Sequence, residues 1–523
     1  MTTQCNRGGG KWQMAQSSSI YRHSTVTYFV STFAISWGGI LAVVGWEGFP
    51  GTQEQVSLLL PWVVLVMLAG PSLIGVLMIY LVYGKVGFQR LVSSLVPRGH
   101  SGVGWWAVAF LLAPLSIATV LTVLSLVDSM FRPVIFTSDD KASTLVLAFA
   151  YALAAGFFEE LGWTAFAVRE LRSRHSILAT GLIVGGLWGA WHLIVAVWGS
   201  GMDDASGRFS VTAFLPQILF YVAVLPGYRI LMVCIYERTA SLGAVMVMHA
   251  SLTASLPLAL APSATGIHLA ISYFVLAIVL WAAIAFGISK GCFGSSMKEQ
   301  KVACCGMLLC GFLSTVIYMV PVVVPVTGWK SYGRTWRTIS ELNALDSLTR
   351  ALVGPLFVAC SLLTIVFGIG IISTAGGNLP LRRAAIGLLG KEVVGTVVTL
   401  FSLMHLRAVK TSSTVTLHGP LTLVGFPFIL LAVGAGASAF GITFRVYSLV
   451  TIALLSFGGC LAAMDTPKLA ANISASWIGV SERVSVAAYP LWAAVLSVTL
   501  MRDMWRGYAS ELGSTSTMSK RDL

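Results

Sequence analysis

The chain has 523 residues, of which 56% are hydrophobic and 10% charged, with a mean hydropathy of +0.84. Soluble domains carry about 25% charged residues, and a single soluble core does not hold this many apolar side chains. A soluble fold is therefore excluded, as are collagen, disordered and disulfide-rich scaffolds. The composition requires an integral membrane protein. The net charge is +13, from 33 Lys+Arg against 20 Asp+Glu. In a soluble chain that surplus would point to nucleic acid. Here the basic residues lie in short loops between apolar runs, so they speak for topology, and no nucleic-acid partner is expected.

A helix needs about 20 apolar residues to cross the hydrocarbon. Windows of that kind run over 25–46, 56–82, 103–127, 143–168, 177–198, 211–235, 241–259 and 267–288. After the polar linker SKGCFGSSMKEQK at 289–301, six more run over 302–328, 351–374, 384–406, 419–443, 446–464 and 484–501. The expected fold class is all-α, a polytopic membrane protein of about 14 transmembrane helices arranged as eight plus six. The expected organisation is a tail over 1–24, an eight-helix domain over 25–288, the linker, a six-helix domain over 302–501 and a second tail over 502–523. No internal repeat is visible.

The positive-inside rule orients these windows. With the first tail in the cytosol, the inner segments hold 22 of the 33 Lys+Arg, among them Arg169, Arg172, Arg229, Arg238, Arg382, Arg383 and Lys391. Both termini then face the cytosol; plasma membrane and endoplasmic reticulum are not distinguished. No cleavable signal peptide is expected, since the first apolar run follows 24 polar residues and is of full span length. The eight cysteines show no metal-type spacing and no disulfide framework. Cys292, Cys304 and Cys305 flank a helix entry and are candidates for palmitoylation. Asn472-Ile473-Ser474 fits the glycosylation sequon on the outer side. The 329–350 loop, with Arg334, Trp336 and Arg337, could lie along a headgroup surface.

Ionisable groups inside apolar helices are costly and are functional candidates by default. Glu159 and Glu160 lie in the fourth window, His192 in the fifth and His249 in the seventh, with Thr253 one turn after His249. Adjacent carboxylates stand about 100° apart on a helix, so one meets the chemistry while the other flanks it or anchors a neighbouring helix. A solvated position for both near Arg169 is disfavoured, because Glu159 lies roughly 15 Å up the helix from that residue. Glu, His and His on three helices form a set suited to polarising water: the carboxylate takes the proton, and the imidazoles hold the water, a metal ion or the developing oxyanion.

At these residues the chain resembles the CPBP family of intramembrane proteases, which includes the CAAX prenyl endopeptidases and Abi-type proteins. The family's Glu-Glu-x-x-x-Arg, aromatic-x-x-x-His and His-x-x-x-Asn motifs read here as Glu159-Glu160-Leu161-Gly162-Trp163-Thr164, Trp188-Gly189-Ala190-Trp191-His192 and His249-Ala250-Ser251-Leu252-Thr253. Tyr236-Glu237-Arg238-Thr239-Ala240-Ser241-Leu242 is a further supporting stretch, and the similarity covers about residues 140–260. The resemblance implies that Glu159 is the general base, that His192 positions the water, and that His249 stabilises the oxyanion with the residue at the Asn position. It leaves open a Zn²⁺ ion held by Glu159, His192 and His249. It also implies membrane lipid as surroundings and a prenylated or other membrane-associated protein as substrate.

Two departures stand out. Thr164 occupies the family's Arg position, so the partner that would pair with a glutamate is missing. Thr253 occupies the Asn position with a shorter oxyanion donor. Two readings follow: an intramembrane endopeptidase, or a catalytically inactive binding or scaffold protein using the same cavity. A transporter, suggested only by helix number, ranks last. The second block resembles a six-helix membrane family of unknown function at Ile339-Ser340-Glu341-Leu342, Arg350, Leu417-His418 and Gly479-Val480-Ser481-Glu482-Arg483.

Overall fold

The computed structural model describes residues 23–95, 103–202, 207–256, 260–291, 293–323, 339–344, 347, 349–401, 413–470 and 478–519. Cys292, the Asn472-Ile473-Ser474 sequon, most of the 329–350 loop, residues 1–22 of the first tail and the side chains of Leu417 and His418 lie outside the described residues.

The first eight helices longer than ten residues are α1 (Ser24–Val44), α2 (Gln53–Leu95), α3 (Val103–Val127), α4 (Lys141–Arg172), α5 (Ile177–Gly199), α6 (Val211–Thr239), α7 (Leu242–Ala254) and α8 (Gly266–Ser289). Six follow: α9 (Met297–Val323), α10 (Arg350–Thr374), α11 (Leu379–Phe401), α12 (Ser413–Ala439), α13 (Ile442–Ala470) and α14 (Ile478–Ser519). Over the described residues each predicted window overlaps one of these helices. Among the described residues, 11 helices are long and apolar enough to cross a membrane, and α7 is a shorter apolar helix. The described residues contain no strand, only an isolated bridge between Pro133 and Pro262. The protein is an all-helical, polytopic membrane protein.

The chain divides into two compact units, Met1–Thr122 with Met130–Leu280, and Val123–Ser129 with Trp281–Leu523. In the first, helix starts follow local chemistry. Asp140, Ser176, Ser210 and Ser241 precede α4, α5, α6 and α7, and each side chain accepts a backbone N–H of the first turn, satisfying donors that a helix start leaves unpaired. Ala240, at φ 48°, turns the chain out of α6 and directly into α7. Close approach of α4 and α7 depends on Gly156: a Cβ there would lie 2.6 Å from the Met246 carbonyl and 3.1 Å from the Ala250 nitrogen. In the Tyr236–Leu242 stretch, Glu237 pairs with Arg172 at 2.9 Å, tying the end of α6 to the end of α4.

The second unit packs around Phe367, Leu388, Trp492 and Leu496, all fully buried, and the Trp492 indole donates to Ser448 Oγ at 3.0 Å. Lys391, expected in a cytosolic loop, instead lies in the middle of α11 with Nζ 2.8 Å from Glu392. The adjacent buried carboxylate neutralises it, which is why a charged pair is tolerated within the helix. The backbone N–H of Ile339 donates to Glu482 at 2.7 Å, joining two of the segments that carried the second resemblance.

Replacing Gly156 by Ala is expected to destabilise the fold by about 1–3 kcal/mol through overpacking, more than the ~1 kcal/mol of helix propensity that alanine returns. Gly186→Ala, on the same kind of helix with nothing within 4 Å of its Cβ position, is the control. Thermal midpoints in detergent check this: a fall for Gly156→Ala and none for Gly186→Ala.

Candidate active site

α4 carries Glu159 and Glu160 into the interior of the first unit, where they are 5% and 0% exposed. Immediately after them the helix widens into a π turn over Trp163–Val168, every residue of which is buried. Such wide turns are rare and recur at functional positions. α7 places His249, 2% exposed, against both carboxylates. Glu160 Oε1 is 2.6 Å from His249 Nδ1, and Glu159 Oε1 is 4.0 Å from Nε2. The two adjacent glutamates thus flank one imidazole, one at each ring nitrogen.

Glu160 is saturated with donors. Arg229 Nη1 donates to Oε2 at 2.8 Å and to Oε1 at 3.0 Å, the Thr164 hydroxyl donates to Oε2, and His249 Nδ1 reaches Oε1. A carboxylate offers about four acceptor positions and no donor, so His249 Nδ1 carries the hydrogen of this bond, leaving Nε2 to face Glu159.

Arg229 overturns two expectations. It is a fully buried residue of α6, 0% exposed, rather than a residue of an inner loop. It also supplies the glutamate's partner that Thr164 was expected to leave missing. The physical reason is spatial: α5 and α6 pack closely, with Gly185 lying against Pro226 and the Arg229 Cβ, so a guanidinium on α6 reaches the carboxylate that a residue at 164 would otherwise meet. Thr164 remains in the cluster, 3.5 Å from Arg229 Nη1. Arg229 Nε and Nη2 have no hydrogen-bond partner among the described residues, but the guanidinium carbon stands 4.1 Å from the centre of the Trp188 ring, a cation–π arrangement.

Trp188 is the hub of the site, and its role was not read from the sequence beyond its place in the aromatic-x-x-x-His motif. Its indole N–H donates to Glu159 Oε2 at 2.8 Å. Its ring stands 5.0 Å from the His249 ring and 6.0 Å from the His192 ring. Its backbone carbonyl is 2.9 Å from His192 Nδ1, and because a carbonyl only accepts, this nitrogen carries the hydrogen. His192 caps the Ile177–Trp191 segment where α5 breaks, is half-buried, and stacks on Tyr221 at 4.8 Å. Tyr221 itself belongs to a second π turn, Phe220–Val224 in α6. His192 therefore joins the cluster through Trp188. Thr253 lies one turn beyond His249 and is half-buried.

In this arrangement Glu159, His192 and His249 are not drawn together as a three-ligand set. Among the described residues no three His, Cys, Asp or Glu side chains are grouped to hold a metal.

Because Arg229 already serves Glu160, Thr164→Arg would introduce a second guanidinium with no carboxylate of its own. An uncompensated buried charge costs about 3–5 kcal/mol, so this variant should lose thermal stability in detergent. A variant as stable as the parent would contradict the assignment of Arg229 as the glutamate's partner.

Residues 141–255 match the family model described as Type II CAAX prenyl endopeptidase Rce1-like. The CAAX prenyl protease 2 of Methanococcus maripaludis is 28% identical to this chain over 182 residues, which cover 33% of this chain and 63% of the relative. The chain thus spans a little under two thirds of that relative's length. The matched segment contains the glutamate pair, Trp188, both histidines and Arg229. Through this segment the chain is similar to the Rce1-like CAAX prenyl endopeptidases.

Proposed function

We propose that this protein is an intramembrane endopeptidase of the CAAX-processing type, acting on a prenylated or other membrane-associated protein. The observation that carries the reading is the buried His249 imidazole, held at Nδ1 by Glu160 with Nε2 directed at Glu159. Glu159 Oε1 takes a proton from water as the water oxygen attacks the peptide carbonyl carbon. His249 Nε2, when protonated, donates to the oxyanion, with the Thr253 hydroxyl as a second donor. His192 offers Nε2 to the water, its Nδ1 hydrogen being committed to the Trp188 carbonyl. Collapse of the tetrahedral species breaks the C–N bond, and the proton held by Glu159 passes to the leaving amine. Residues 25–288 form the protease domain in this reading and 302–501 a separate six-helix domain, with both tails in the cytosol.

One feature favours a second reading, a non-catalytic membrane scaffold. Thr253 gives a shorter, weaker donor than the amide of the family pattern, and loss of one oxyanion donor costs about 10²–10³ in rate. Cleavage of an S-farnesylated CAAX peptide by the purified full chain in liposomes separates the two. Turnover is expected, and Glu159→Gln and His249→Ala should each lower kcat by about 10²–10⁴, the usual contribution of a positioned acid or base, with unchanged folding in detergent. Absence of turnover by the parent, or parental rates in either variant, would sink the endopeptidase reading.

A further inference from the structure

We propose that Arg229 is a positioning residue of this site: its guanidinium, carried on α6, fixes the Glu160 carboxylate that in turn orients His249. The proposal rests on the endopeptidase reading and names the device that replaces the arginine absent at position 164.

The geometry forms a continuous chain. Arg229 Nη1 binds both oxygens of Glu160, at 2.8 and 3.0 Å. Glu160 Oε1 binds His249 Nδ1 at 2.6 Å. The opposite ring nitrogen faces Glu159, whose other oxygen is held by Trp188. The Trp188 ring also covers the guanidinium at 4.1 Å, so one indole constrains both ends of the chain. Each link is buried, and in a dry site a carboxylate without its cation would turn towards whatever donor remains. Here the remaining donors are Thr164 and His249. Loss of Arg229 would therefore pull the imidazole out of its orientation rather than merely weaken packing.

Position 164 makes the role separable from the residue. Thr164 Oγ1 lies 3.5 Å from Arg229 Nη1, so an arginine grown from 164 would place its guanidinium in the volume that Arg229 vacates. The interchange is thus a physical complementation: Arg229→Met removes the cation from α6, and Thr164→Arg returns it from α4.

The test uses the full chain in liposomes and the S-farnesylated peptide. Arg229→Met should lower kcat about 10–100-fold, the usual cost of removing a supporting partner, with KM changed less than about 3-fold. Thr164→Arg combined with Arg229→Met should recover at least about 10-fold of that loss. Arg229→Lys keeps the charge but not the planar guanidinium that lies over Trp188, and should be slower than the parent even where Arg229→Met fails to fold. Parental kcat in Arg229→Met or Arg229→Lys would overturn the proposal, as would a folded interchange variant no faster than Arg229→Met. A readout independent of turnover is the ¹⁵N resonance of His249, which should report a hydrogen on Nδ1 in the parent and a mixture of tautomers in Arg229→Lys. No cleavage by the parent defeats the endopeptidase reading alone. The histidine resonance then decides for Arg229, and an unchanged tautomer would overturn it.

Discussion

A carboxylate cannot be left alone in the interior of a membrane protein, and the first unit is organised around that constraint at Glu160. Its oxygens face a guanidinium from α6, an imidazole from α7 and a hydroxyl from its own helix. Three helices must therefore meet at one point in one register. The small residues and the wide turn next to it follow from this demand: Gly156 lets α7 approach α4, Gly185 lets α6 approach α5, and the π turn after Gly162 accommodates the buried aromatic residues beyond.

The same constraint separates the two glutamates by role. Glu160 spends all its acceptor capacity on protein partners, so it has none to offer a substrate. Among the described residues Glu159 accepts one hydrogen bond, from the Trp188 indole, and retains an oxygen facing His249 Nε2. Adjacent residues about 100° apart on a helix thereby end up as one anchor and one group open to chemistry. Trp188 meets three groups by three different means: Glu159 through its N–H, Arg229 through its ring face and His192 through its backbone carbonyl.

Much of this arrangement is legible in the sequence, and the illegible part has a definite cause. Glu159, Glu160, His192 and His249 stand out because ionisable groups are rare in apolar windows, and the structure gathers Glu159, Glu160 and His249 around one ring. Arg229 carried the same signal: it lies inside the apolar window 211–235, with Leu225 and Ile230 close by. Its place near the window's end hides it among loop residues, because arginine there is the ordinary mark of a cytosolic flank. Motif logic compounded this, since a pattern tied to position 164 has no means of representing a cation contributed by another helix. Helix positions followed directly from apolar length, whereas Lys391 was misplaced because its neutralising partner, Glu392, is adjacent in sequence and so gives no separate pattern.

The Arg229–Glu160 pair also bears on how the chain enters a bilayer. An arginine at the centre of an inserting helix costs about 2.5–3.5 kcal/mol on translocation scales, and an acidic residue a similar amount. Glu160 is synthesised about 70 residues before Arg229, as the spacing of 69 between them requires. α4 alone would present an uncompensated carboxylate to lipid, and α6 alone an uncompensated guanidinium. The two penalties cancel only when the helices are side by side, so biogenesis of this unit favours holding α4 near the insertion site until α6 emerges. A contact that orients an imidazole in the finished protein thereby also offsets the cost of placing two charged helices in lipid.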